Sequence, residues 1–227
     1  MQRFCSSSLL SIAIGLSLSV YAQKTENVML KKENFKPFDV SVKEETYKGK
    51  AAIVLEQPII LDNQKTFALI QGIEFHNGTI EATISGQVCN SKVEGARGFV
   101  GIVFRVNKDT SQFEKFYLRP TNGRANDQVR RNHSLQYVSY PGHPWEKLRK
   151  ETPEKYESYA DIQPAEWTRI KIVIKDESAQ LFINGADQPN LIVNDLKQGK
   201  ELKGSIGLWI GPGTLAHFSD IKITKLD

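Results

Sequence analysis

Apolar and polar residues alternate at every second position along much of this chain of 227 residues. Successive side chains of an extended strand point to opposite faces, so the pattern predicts strands with one buried face. In WTRIKIVIK (167–175), Ile170, Ile172 and Ile174 fall on one side and Arg169, Lys171 and Lys175 on the other. The same reading predicts strands over 78–85, 99–107, 113–119, 134–139, 167–175, 179–184, 204–210 and 217–224. Helical periodicity is scarce. Only 144–159, dense in charge, reads as a short helix or a long excursion. Asn184-Gly185 marks a tight turn and Gly211-Pro212-Gly213 a chain reversal. Many short strands parted by turn signals predict an all-β sandwich or barrel, and no repeat or linker divides the chain.

The alternation also assigns faces. In FEKFYLR (113–119), Phe116 and Leu118 share one side, while Lys115, Tyr117 and Arg119 share a side that is not a typical core. Glu81 falls opposite Ile80, Ala82 and Ile84; Arg105 opposes Phe104 and Val106; Trp209 opposes Leu208 and Ile210. If these strands share a sheet, they present a carboxylate, guanidiniums, a phenol and an indole on one surface. Sugars suit such a surface, because an aromatic face covers the C–H side of a pyranose while planar donors and carboxylates bind its hydroxyls. The plainer alternative is that outward Arg, Lys and Glu meet water. For Glu81 or Arg105 taken singly, that alternative is the stronger one.

Between two predicted strands lies DQVRRNHSLQY (127–137), followed by YPGHPW (140–145). Asn122, Arg130, Arg131, Asn132, His133, Gln136 and Trp145 supply planar donors and an aromatic plate near Tyr117 and Arg119, a combination that points to a binding site. A polar connection capping one end of the sandwich is the competing reading. It would pair Arg131 with Asp127 or Glu146.

Composition narrows the setting. The N-terminus MQRFCSSSLLSIAIGLSLSVYAQ has one basic residue, an apolar and small-residue core over residues 4–20, and Val20-Tyr21-Ala22 ahead of Gln23. That is the pattern of a secretory signal peptide cleaved after Ala22. The core is short for a membrane span, and no later apolar run reaches that length. The expectation is a secreted or periplasmic protein whose residues 23–227 form a single, monomeric domain. Cleavage removes Cys5 and leaves Cys89 as the lone thiol, which its flanking alternation places in the interior or at a strand edge. Removing Arg3 takes the formal net charge from +4 to +3, too mild for nucleic acid. Arg119, Arg124, Arg130 and Arg131 stand against only Asp127 in their window, which favours a polar or acidic small ligand. The four histidines are isolated, so neither a metal nor a cofactor is expected.

The segments FHNGTIEATISG, GFVGIVFRVN, FEKFYLRPTNG, QVRRNHSLQYVSYPGHPW, KYESYADIQPAEWTRIKIVI, AQLFING and HFSDIKIT, in this order, resemble the concanavalin A-like lectin/glucanase jelly roll. Within it they are most similar to the 3-keto-disaccharide hydrolase domain and related laminin-G-like exported proteins. The resemblance spans roughly residues 38–224. It implies a two-sheet antiparallel β-sandwich with a face that receives a carbohydrate or another small hydroxylated ligand. For the hydrolase branch it implies cleavage of a disaccharide whose C3 hydroxyl is oxidised to a ketone, which acidifies the neighbouring C–H. Residue chemistry then nominates Glu81 as base, His133 or Tyr117 as acid, and Arg119 or Arg130 to stabilise the enolate. Arg105, Tyr117, Arg119, Asn122, Arg130, Arg131, Gln136, Trp145 and Trp209 are the candidate binding residues. The Glu-x-Asp-x-x-Glu strand of family-16 glycosidases is absent, which counts against ordinary two-carboxylate hydrolysis. A non-catalytic glycan-binding module and a structural or adhesion domain stay open beside the enzyme.

Overall fold

The structure, a computed structural model, describes residues 23–57 and 65–226. The expected signal peptide lies outside them. No helix of the described residues is long and apolar enough to cross a membrane. Fifteen strands are described: β1 (Gln23–Asn27), β2 (Phe35–Phe38), β3 (Ser41–Tyr47), β4 (Lys50–Glu56), β5 (Phe67–Ile70), β6 (Asn77–Val88), β7 (Val100–Val106), β8 (Phe113–Leu118), β9 (Leu135–Tyr140), β10 (Glu157–Ser158), β11 (Thr168–Lys175), β12 (Ser178–Ile183), β13 (Leu191–Val193), β14 (Ser205–Ile210) and β15 (Thr214–Leu226). Three short helices, α1 (Pro120–Gly123), α2 (Gln128–Asn132) and α3 (Trp145–Glu151), interrupt them.

The strands form two antiparallel sheets. The first runs β13-β12-β11-β6-β15-β4-β3, with β1 added alongside β15; the second runs β10-β9-β8-β7-β14-β5-β2. Strands distant in sequence pair throughout: β6 lies between β11 and β15, and β7 lies between β8 and β14. This is a jelly-roll sandwich. Its core is what the alternation predicts, because Ile80, Ile84, Ile172, Ile174 and Leu181 of the first sheet and Ile102, Phe116, Leu118, Leu135 and Leu208 of the second are all buried. Burying such a side chain contributes about 1.5–3 kcal/mol.

The eight predicted strands all form. Five N-terminal strands were not predicted, and each lacks the alternating signature. β5 is buried at every position, β4 carries a continuous apolar run, and β3 is polar because it forms the outer edge of its sheet. β2 holds Pro37, tolerated because this strand is also an edge. The excursion over 144–159 becomes helix α3 followed by β10. At Asn184-Gly185 both residues have positive φ, 53° and 79°, the geometry of the tight hairpin turn that Asn-Gly suits. Cys89 directly follows the end of β6 and is free and exposed, so of the two placements expected for it, interior or strand edge, the interior one does not hold.

One buried polar group of the first sheet is expected to make stability depend on pH. His217 is 3 % exposed, its ring stacked on Tyr47 with centroids 3.7 Å apart and its Nε2 2.7 Å from Glu45 Oε1. Burial lowers its pKa below the usual value, outweighing the pull of Glu45. An unfolded histidine takes a proton near pH 6.5, and folded His217 takes one only at lower pH. Its contribution to stability is therefore full above the unfolded value and lost as pH falls through the folded one. The slope of unfolding midpoint against pH, between about pH 7.5 and 5.5, is expected to flatten in His217→Phe. An unchanged slope would show that His217 is not responsible.

Candidate functional site

The face of the second sheet turned away from the core carries a continuous cross-strand row. Register places Glu157 of β10 opposite Gln136 of β9, Gln136 opposite Tyr117 of β8, Tyr117 opposite Gly101 of β7, and Gly101 opposite Trp209 of β14. Arg119 extends β8 by one residue through its backbone N–H to Ser134 O at 2.8 Å. Gly101 has a steric role here. A Cβ on it would lie 2.2 Å from Phe116 O and 2.6 Å from Tyr117 Cβ, so only glycine lets the Tyr117 and Trp209 rings meet with centroids 5.1 Å apart.

Arg119 organises the row. Its Nη2 donates to Tyr117 Oη at 2.9 Å and to Gln136 Oε1 at 3.0 Å, and its Nη1 donates to His133 O at 3.1 Å and Glu157 Oε1 at 3.3 Å. A planar guanidinium is the side chain that can serve so many acceptors at once. Gln136 passes the network on, its amide donating to Tyr137 O and Tyr156 O. Glu157 also accepts from Arg149, at 2.8 Å from Nε to Oε2 and again through Nη2. His133 Nε2 stands 3.6 Å from Glu157 Oε2. The carboxylate is thus held between two guanidiniums and an imidazole. Each group is nearly water-free: Tyr117, Arg119, Gln136 and Glu157 are all buried.

That burial sets the protonation states. The Tyr117 hydroxyl is pushed up to about 12 by burial, against the Arg119 charge, so it stays neutral while accepting from Arg119. The Lys115 ammonium, 3.5 Å from the Trp209 ring centroid, is driven well below its usual value by burial and then by the neighbouring Arg119 charge. Burial also lowers His133, over the opposing pull of Glu157. Hydrogen bonding to Glu157 raises Arg149.

The open edge of this face is aromatic and cationic. Trp145 starts α3 and is 36 % exposed, with Arg149 one turn later 4.6 Å from its ring centroid and Arg119 5.7 Å away. Asn122 of α1 links the interior to the rim, donating to His133 O at 3.2 Å and accepting from Arg130 Nη2 at 3.4 Å. Arg131 donates to Tyr159 Oη at 2.8 Å and lies over that ring. Neither Arg130 nor Arg131 has an ion-pair partner among the described residues. The capping alternative had paired Arg131 with Asp127 or Glu146; Asp127 instead caps α2 through the Arg130 N–H.

Tyr117, Arg119, Asn122, Arg130, Arg131, His133, Gln136, Trp145 and Trp209 therefore share one region. Two nominated residues do not join them. Glu81 lies on β6 of the other sheet, between Lys171 and Lys222 in register and 3.0 Å from Lys222 Nζ, so it cannot act on one bond together with His133. Arg105 is fully buried instead of lying on an outer face. The register of β14 against β7 shifts between Ser205 and Gly207 and Arg105 takes φ 52°, a bulge that re-aims its side chain toward His76 O, Asp176 O, Gly199 O and Asn77 Oδ1. Lys115, Arg149, Glu157 and Tyr159 were not nominated. Alternation does put Lys115 beside Tyr117, but the other three fall in or beside the excursion, which has no period to read. No group of three or more potential metal ligands occurs among the described residues.

No family model and no curated protein matches the sequence. Solved structures do match. Carbohydrate-binding module CBM66 from Bacillus subtilis superposes with a TM-score of 0.53 at 12% identity, covering 82% of this chain and 96% of that one. A Bacillus subtilis protein of unknown function with a galectin-like fold gives 0.55 at 12%, covering 92% and 100%. A prokaryotic β-1,3-1,4-glucanase (lichenase) derived from a mouse hindgut metagenome gives 0.54 at 10%, covering 91% and 100%. At these identities the likeness shows the fold, a concanavalin A-like, galectin-like jelly roll.

Proposed function

We propose that this protein is an exported carbohydrate-recognising jelly roll whose ligand rests on the outward face of the second sheet, against Trp145. The observation that carries the reading is the row from Glu157 to Trp209. Its Glu157, Gln136 and Tyr117 are buried and hydrogen-bonded through Arg119, with Trp209 packed on Tyr117, and an exposed indole with guanidinium, imidazole and amide groups stands at its edge. A site supported by locked neighbours is preorganised for binding. Jelly rolls that bind or cleave glycans share the fold, which raises this reading by analogy alone. The signal-peptide pattern at residues 1–22 supports export.

A binding module is favoured over a conventional glycosidase. Hydrolysis of that kind uses two carboxyl groups flanking the bond, and Glu157 is the one carboxylate hydrogen-bonded into this cluster among the described residues. The nearness of His133 to Glu157 keeps a second reading, cleavage of a 3-keto-disaccharide. There His133 would take the C–H proton beside the ketone, the glycosidic C–O bond would break, Tyr117 would protonate the leaving oxygen, and water would add to the product alkene.

The test is a glycan array and a reducing-sugar assay on the mature chain, with 3-keto-disaccharides included. Trp145→Ala is expected to weaken glycan binding about tenfold, and Lys171→Ala, on the opposite sheet, to leave it unchanged. Equal losses in both variants, or no glycan bound by the wild type, would refute the binding reading. Turnover abolished by His133→Gln would establish the enzyme.

A further inference from the structure

The guanidiniums at the rim are not balanced in the way their neighbour is. Arg124 forms a two-pronged pair with Asp161 at 2.6 and 3.0 Å. Arg130 and Arg131, exposed and half-buried on α2, have only the neutral oxygens of Asn122 and Tyr159 as side-chain partners. Of the nearby carboxylates, Asp161 is held by Arg124 and lies close enough to Arg131 for that charge to help lower its pKa. Asp127 is drawn to the α2 backbone, and Glu157 is buried with its oxygens turned to Arg119 and Arg149. Glu146, on the first turn of α3, faces Arg149, and Glu154 lies near His133.

Hydrogen bonds run unbroken from Arg130 through Asn122 and the His133 carbonyl to Arg119, Glu157 and Arg149. Arg130 thus stands at one end of a network whose other end, Arg119 and Arg149, lies against Trp145, and Arg131 is beside Arg130 on α2. Arginine stays charged at any physiological pH, and its fork matches the two oxygens of a carboxylate or sulfate. A neutral sugar offers that fork hydroxyl acceptors alone, whereas an anion also meets its charge.

We infer that the ligand is an anionic glycan, with one sugar ring laid against Trp145 and a carboxylate or sulfate group received by Arg130 and Arg131. The inference rests on the carbohydrate reading above and adds the charge class. Tyr159, 38 % exposed beneath the Arg131 guanidinium, provides the second aromatic surface for the charged residue.

The experiment is an affinity comparison at low and high salt between uronate oligosaccharides and their carboxyl-reduced forms, and between sulfated oligosaccharides and their desulfated forms. The variants are Arg130→Gln, Arg131→Gln and Arg124→Gln, all at positions that are not part of the core. The wild type is expected to prefer one anionic series over its neutral counterpart by about tenfold, with the preference shrinking as salt screens the charge. Which series is preferred identifies carboxylate or sulfate. Arg130→Gln and Arg131→Gln should remove most of the preference with unchanged unfolding midpoints, and Arg124→Gln should retain it. Equal binding of charged and neutral forms overturns the anionic assignment and leaves the carbohydrate reading standing. No binding of any member overturns both. A loss in Arg124→Gln as large as in Arg130→Gln would mean diffuse surface charge and no built site.

Discussion

Arg119→Ala is expected to destabilise the protein by about 3 kcal/mol or more and to lower its unfolding midpoint by about 6–12 °C. The guanidinium is 6 % exposed and serves Tyr117, Gln136, Glu157 and the His133 carbonyl at once. Its loss takes a donor from all four, but His133 O keeps the Asn122 amide, so the cost falls chiefly on Tyr117 Oη and Gln136 Oε1, about 1–3 kcal/mol each before relaxation. Arg149 limits the damage, because it keeps two bonds to Glu157. Arg119→Lys should recover only part of the loss, since an ammonium cannot span the same acceptors in one plane. A double-mutant cycle with Glu157→Gln should show coupling, the pair costing less than the sum of the single changes. Denaturant titration checks all three, and a loss below about 1 kcal/mol for Arg119→Ala would mean the guanidinium is solvated like a surface pair.

Much of this arrangement could be read from alternation, and its omissions have physical causes. Period two correctly put Lys115, Tyr117 and Arg119 on one side of β8, away from Phe116 and Leu118. It did not reveal that this side is buried, because the pattern reports which residues share a face and not what lies over it. The same limit explains Glu81. Its face was read correctly, but alternation does not say which of two sheets a strand joins, and β6 joins the sheet opposite β8. Glu157 and Arg149 went unnoticed for a different reason. They meet because α3 folds back beside β9 and delivers β10 to its edge, a tertiary event with no local signature. The early strands were illegible where they are edges or wholly buried, since neither case alternates.

Arg105 is where a bulge defeated the pattern, and it carries the second large expectation. Arg105→Met should destabilise more than Arg119→Met. The Arg105 side chain is fully buried and donates to His76 O at 2.9 Å, Asp176 O at 2.8 Å, Gly199 O at 3.2 Å and Asn77 Oδ1 at 3.0 Å. It thereby ties three segments together: the entry into β6, the β11–β12 turn and the loop before β14. No second arginine shares these acceptors, unlike Glu157, which has both Arg119 and Arg149. Methionine fills much of the volume and leaves the backbone carbonyls without a donor, at a cost of about 3–5 kcal/mol. Asn77 Oδ1 also accepts from the Asp176 N–H at 2.9 Å, so loosening it weakens the same corner twice. Glycan affinity, measured at a temperature where the variant is still folded, should match the wild type, because this corner lies apart from the row between Glu157 and Trp209. A variant of normal stability that no longer binds glycan would reverse the assignment, returning Arg105 to the ligand face where its sequence neighbours had first suggested it belonged.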